Sequence, residues 1–227
     1  MGARVTDSLP WIIATWLIPL VIAIVFHEVS HGLVANALGD PTAKLRGRLS
    51  FNPIKHVDPF GTLLLPMVLA ISGAPIFGWA KPVPVVARRL RNPRWHMILV
   101  ALAGPGMNLV LALVAALLLA ILIALAPTGM LWAFVGQNLL NFMAINIFLA
   151  IFNMLPVPPF DGSHVVEGLL PPALAAQYRK LRRFSLLLLI VLLLILPQLF
   201  PAANVVERIV GPPTQWMIRA LLPGSAG

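Results

Sequence analysis

From Met107 to Ala126 the chain carries no ionisable side chain. A stretch of about 20 apolar residues is what a helix needs to cross the hydrocarbon of a bilayer, so this segment dictates a membrane solution. Further apolar runs extend over Trp11 to Leu38, Leu131 to Leu155 and Phe184 to Phe200. Composition agrees. The chain is 59% hydrophobic and 10% charged, too few charges to cover a water-facing surface of 227 residues. A soluble globule and a disordered chain are both excluded. The expected fold is an all-α polytopic membrane protein of about four transmembrane helices in a single domain over residues 1–227. Its core lies at about 10–165 and peripheral helices at 166–227. The first ten residues lack a basic leader and a small-residue cleavage site, so the first apolar run is expected to be retained.

Two segments depart from that pattern. Thr62 to Trp79 is apolar but broken by Pro66, Gly73, Pro75 and Gly78. Val205 to Leu222 contains Glu207, Arg208, Pro212, Pro213 and Arg219, and is read as an interfacial or sixth helix. Charge placement bears on the first. Lys and Arg number 16 against 7 Asp and Glu, a net +9. In a soluble chain this excess would suggest nucleic acid; in a membrane chain it records orientation, because inner loops carry Lys and Arg. Lys44, Arg46, Arg48 and Lys55 follow the first span. Lys81, Arg88, Arg89, Arg91 and Arg94 follow the broken segment, and Arg179, Lys180, Arg182 and Arg183 precede the last span. If 62–79 dips into the membrane and returns, all these charges share the cytoplasmic side and the N-terminus lies outside. A full crossing would divide them. Re-entry is therefore expected, followed by a short β-strand over Phe77 to Val85. There Pro82 and Pro84 strip N–H groups from one edge and leave Val83 and Val85 to pair with a partner on the other.

The chemistry is carried by few residues. His27-Glu28-Val29-Ser30-His31 lies near the inner end of the first span. Four residues apart on a helix, the two imidazoles share a face and can reach one zinc, while Glu28 points about 100° away, toward a water rather than the ion. Three ionisable groups in one transmembrane turn are costly and by default functional. With zero cysteines, any further ligand must come from Asp7, Asp40, Asp58, Asp161, Glu167, Glu207, His56, His96 or His164. Asp161 closes the string Asn153-Met154-Leu155-Pro156-Val157-Pro158-Pro159-Phe160-Asp161-Gly162, whose prolines exclude regular helix. Two crossings after the first span return the chain to the inner side at Asp161, provided 62–79 is re-entrant. Asn138, Asn141, Asn146 and Asn153 fall within an arc of roughly 140°, which gives the span before Asp161 an inward polar face.

The His27–His31 motif, the Asn153–Gly162 string and Gly104-Pro105-Gly106-Met107-Asn108 together resemble the site-2 protease family of intramembrane zinc metalloproteases. The resemblance covers about 10–165. It implies one zinc per chain held by His27, His31 and Asp161, with Glu28 as catalytic acid/base and Asn153 near the substrate or oxyanion. Val83 and Val85 are candidates for holding the unwound substrate. The implied partners are membrane-anchored protein substrates, cleaved within their transmembrane segments toward the cytoplasmic side, and the lipid bilayer, with no nucleic acid. Ser163 stands where the family commonly has a second glycine, and no PDZ or CBS-like insert occurs, so the chain resembles a minimal form. The minimal architecture and the absence of eukaryotic organelle signals suggest a prokaryotic cell membrane, crossed several times. A membrane transporter, or a non-catalytic zinc-binding scaffold, is the alternative. The first lacks a visible repeat, and the second leaves Glu28 without a purpose.

Overall fold

The computed structural model describes residues 6, 8–72, 78–200 and 204–222. Its helices are α1 (Leu9–Ala37), α2 (Thr42–Leu45), α3 (Leu65–Ser72), α4 (Pro93–Leu125), α5 (Met130–Asn153), α6 (Gly162–Leu169), α7 (Pro172–Arg179), α8 (Ser185–Ile190), α9 (Leu196–Leu199) and α10 (Gly211–Leu221). Among the described residues four helical stretches are long and apolar enough to cross a membrane: α1, α4, α5 and the continuous run Pro172–Leu199 through α7, α8 and α9. That last run starts earlier than the expected Phe184, so the basic cluster 179–183 is helical.

Boundaries follow local chemistry. Gly39, at φ +113°, takes the left-handed conformation that stops α1. Pro93 opens α4 behind Asn92, whose side chain accepts the Trp95 N–H. The α1, α4 and α5 helices pack on one another and bury polar groups as well as apolar ones. Asn141 of α5 donates to Thr15 O of α1 at 2.8 Å, and Asn146 accepts from Asn108 of α4 at 2.7 Å. Asn138 and Asn153 instead donate back to Phe134 O and Leu149 O on their own helix. Half of the expected polar face thus cross-links helices.

The stretch before residue 73 begins with a π turn over Pro59–Leu64, whose Gly61 N–H is capped by Asp58 Oδ1 at 2.7 Å. Its two ends meet. Trp79 N–H donates to Gly61 O at 3.1 Å, and Thr62 Oγ1 donates to Trp79 O at 2.8 Å. Residues 61 and 62 are thus tied directly to residue 79.

One expectation is corrected. No strand occurs among the described residues, and the Phe77 end of the expected strand lies outside them. Residues 78–86 carry no ladder because N–H groups that would build one go to carboxylates: Val83 N–H to Glu28 Oε2 at 2.7 Å and Val86 N–H to Asp40 Oδ2 at 2.6 Å. The C-terminal α10 lies against the bundle. Met217, Ile218 and Leu221 pack against Ala112, Ala115, Ala116, Met143 and Ile147 of α4 and α5. Its remaining polar residues and exposed Trp216 keep the opposite face amphipathic.

Candidate metal centre

His27 and His31 lie one helical turn apart on the buried side of α1, their rings edge to face with centroids 4.6 Å apart. Asp161 enters from the loop between α5 and α6. Tyr178 Oη donates to Pro156 O of this loop at 2.6 Å. Gly162, behind the aspartate, is as close as a residue can come: a Cβ there would lie 2.3 Å from Met154 O. The loop therefore folds tightly back on the end of α5 and carries Asp161 Oδ2 to 3.2 Å from His27 Nε2 and 3.3 Å from His31 Nε2. The two Nε2 atoms are 3.0 Å apart.

Hydrogen bonds behind the rings decide what these atoms present. His31 Nδ1 meets Val100 O at 2.7 Å, and a carbonyl oxygen only accepts, so the proton sits on Nδ1. His27 Nδ1 meets Asn108 Oδ1 at 2.5 Å with the same consequence. Both Nε2 atoms then offer lone pairs, aimed at each other and at a carboxylate oxygen that is buried and has no hydrogen-bond donor. Three acceptors converging at such distances repel one another unless a cation lies among them. Two imidazole nitrogens and one carboxylate oxygen are a donor set that zinc takes readily, with a fourth position left open. The residues present fit the metal.

The α4 helix closes the other side. A Cβ on Gly104 would fall 2.4 Å from His31 Nε2 and 2.6 Å from His27 Cε1, so only glycine lets α4 run against both rings. The Gly-Pro-Gly stretch thus leaves room for the imidazoles, and Asn108, one turn on, supports His27.

Glu28 faces away from this cluster toward residues 78–86 and receives the Val83 N–H. Val83 is buried, with its Cγ1 against Gly32, and Val85 packs beside Ala35, Leu90 and Val100. As the segment stands, the Val83 N–H is not a free edge for a substrate. Asn153 sits at the end of α5 with its amide N–H turned back to Leu149 O at 2.9 Å, away from an oxyanion role unless it rotates.

Of the other ligand candidates, Asp40 is fully buried beyond α1, where it accepts from Thr42 N–H, Thr42 Oγ1 and Val86 N–H. Burial opposes its ionisation, but those hydrogen bonds outweigh it and hold its carboxyl below the usual range. His56 is buried against Ser50 O. Glu167 pairs with Arg179 and Arg182, and His164 meets Arg182 at 2.7 Å. Burial and the Arg182 guanidinium push His164 down to about 4. This cluster ties α6 to the last span. The structural work of Asp40 and Asn108 escaped the sequence reading; the available signal was a lone polar side chain at the end or middle of an apolar run.

A helix-borne His-Glu-x-x-His turn with a carboxylate delivered from a distant loop, inside a bundle of apolar helices, defines a membrane-embedded zinc hydrolase. The model for Peptidase family M50 matches residues 15–136 and 122–196, and the chain belongs to that family. It is 40% identical over 179 residues to "Putative zinc metalloprotease YwhC" of Bacillus subtilis, covering 78% of each chain. It is also 33% identical over 189 residues to "Putative zinc metalloprotease Rip2" of Mycobacterium tuberculosis, covering 81% of this chain and 66% of that protein. No solved structure matches it significantly. The protein is a zinc-dependent intramembrane metalloprotease of multi-pass architecture.

Proposed function

We propose that His27, His31 and Asp161 hold the zinc and that Glu28 is the acid/base of peptide hydrolysis, acting on transmembrane segments of membrane-anchored proteins near their cytoplasmic end. The observation that carries this reading is the convergence of one ligand atom each from His27, His31 and Asp161 within 4.8 Å, beside Glu28. Zinc, when bound, supplies a Lewis acid and brings the pKa of water toward about 7. Glu28 takes the proton of the attacking water on Oε1, since Oε2 is engaged by Val83 N–H. As the carbon–oxygen bond forms and the carbon–nitrogen bond breaks, the same carboxyl returns that proton to the departing amine. Asn153 would steady the oxyanion once its amide leaves Leu149 O, a contribution of about 3 kcal/mol where such donors have been removed elsewhere.

The substrate must be unwound, because a helix hides its peptide bonds. Residues 83–85 stand at the catalytic carboxylate, and we place the unwound stretch along them, with Val85 rather than Val83 offering backbone groups. Segment 62–79 dips into the membrane and returns, the N-terminus faces outward, and 13 of the 16 Lys and Arg lie inside. The absence of cysteine in the sequence makes the orientation simple to test: an impermeant thiol reagent added outside intact cells should label Thr128→Cys and spare Arg88→Cys.

Glu28→Gln tests the chemistry. Full-length protein in nanodiscs should keep its zinc and lose cleavage of a membrane-anchored reporter by at least about a thousandfold. Continued cleavage, or transport activity that survives the change without proteolysis in either protein, refutes the assignment.

A further inference from the structure

Every hydrogen bond behind His27 has a forced direction, and the force originates two helices away. The Phe142 backbone carbonyl accepts from Asn146 Nδ2 at 2.8 Å. A carbonyl cannot donate, so Asn146 must present its NH2 group there and turn its oxygen the other way. That oxygen accepts from Asn108 Nδ2 at 2.7 Å. Asn108 must therefore also present its NH2 group, with the Ala23 carbonyl 3.5 Å away as a second acceptor. Its oxygen is left facing His27 Nδ1 at 2.5 Å. His27 can satisfy it only by carrying its proton on Nδ1, which leaves Nε2 bare toward Asp161 and His31.

Both asparagines are fully buried, in the middle of apolar helices where an unsatisfied amide is costly. A flip of either would place two donors or two acceptors face to face. The neighbouring ring needs one bond for the same result, since His31 rests directly on Val100 O. We infer that Asn146 is a positioning residue for the zinc site: through Asn108 it fixes the orientation of one amide and thereby the tautomer of His27, although it touches neither ring. The inference rests on the assignment of His27 as a ligand. It also states what the inward face of α5 is for, beyond satisfying its own polar groups.

The test uses the full chain in nanodiscs, with zinc affinity read by chelator competition. Asn146→Leu should weaken zinc binding ten- to a hundredfold, the range seen when outer partners of metal-bound histidines are lost. Asn146→Asp, held protonated by its burial so that its hydroxyl donates to Phe142 O while its carbonyl oxygen still accepts from Asn108, should stay within about threefold of the wild type. The deciding variant is Asn108→Asp combined with Asn146→Leu. A carboxylate has no wrong face, so it needs no orienting partner, and zinc affinity should recover toward the wild-type value. A packing role for Asn146 would not be rescued in this way. Unchanged affinity in Asn146→Leu, or no recovery in the double variant, overturns the inference. Should Asn146→Leu fail to fold, 15N chemical shifts of His27 in the metal-free wild type decide. A proton on Nδ1 supports the relay and a proton on Nε2 overturns it, whether or not zinc binding has been measured.

Discussion

The α1–α4–α5 bundle and the C-terminal span are both apolar helices of similar length, yet they solve different problems. In the spanning windows of α1, α4 and α5, 22–28% of residues are buried, against 6% in the run Pro172–Leu199. Lipid tails are as apolar as leucine, so burial of apolar surface alone does not draw membrane helices together. The bundle is held by what lipid cannot satisfy: His27, His31, Asn108, Asn141 and Asn146, each buried and each hydrogen-bonded. The C-terminal span has no such groups in its Leu-rich stretch; it meets the rest through the pairing of its Arg179 and Arg182 with Glu167 and through apolar contacts of Leu189, Leu192 and Leu193 with the cluster of Leu155, Phe160 and Val210. Polar demand, more than hydrophobicity, decides which helices become a core.

The sharpest way to break this contrast is at the closest helix approach. Gly104→Ala would place a methyl group 2.4 Å from His31 Nε2 and should abolish both stoichiometric zinc and cleavage. Metal analysis of the purified variant checks it. Retained zinc would mean that α4 can yield, and that the bundle is looser than its contacts imply. Next in size is Asp40→Ala. It removes the acceptor for Val86 N–H and Thr42 N–H, buried donors whose desolvation costs about 1–3 kcal/mol each when unmet. Hydrogen exchange over residues 78–90 should rise while zinc binding holds, because the segment loses its anchor at one end only. Loss of zinc there would tie the segment to the metal site more strongly than the Glu28–Val83 bond does.

How far the sequence disclosed all this varies by residue, for physical reasons. His27, Glu28 and His31 were legible because helical periodicity fixes their relative positions over a single turn. The proposed return of 62–79 draws on breakers and charge parity, which are properties of the chain itself. Asp161 could be singled out, but its approach to the rings depends on a loop folded against α5, which only Gly162 and the prolines hint at. Asn146 could be seen as a polar residue facing inward and Asn108 as the end of the Gly104–Asn108 motif, but not the two as partners. Their pairing is a product of helix registry across 38 residues of sequence. The expected strand failed on the same count: Pro82 and Pro84 are visible in the chain, but that Glu28 and Asp40 claim the Val83 and Val86 N–H groups was invisible without tertiary contacts.

The smallest effect is the one that tests the contrast most directly, since it compares one kind of deletion in the two regions. Met143, in the bundle, is fully buried among Ala112, Ala115, Ala116 and Ile147. Met143→Ala leaves a void that no lipid chain can enter, and should cost about 2 kcal/mol, the cavity part of the penalty known from soluble cores. Leu187, in the C-terminal span, is 56% exposed. At Leu187→Ala an acyl chain occupies the vacated space, the apolar transfer term cancels between protein and lipid, and the change should stay within about 0.5 kcal/mol. Unfolding of both variants in mixed micelles measures the difference. Equal costs would mean that the C-terminal span is packed by protein in the membrane, against a second chain or a substrate, and that its bare face is an interface rather than a lipid boundary.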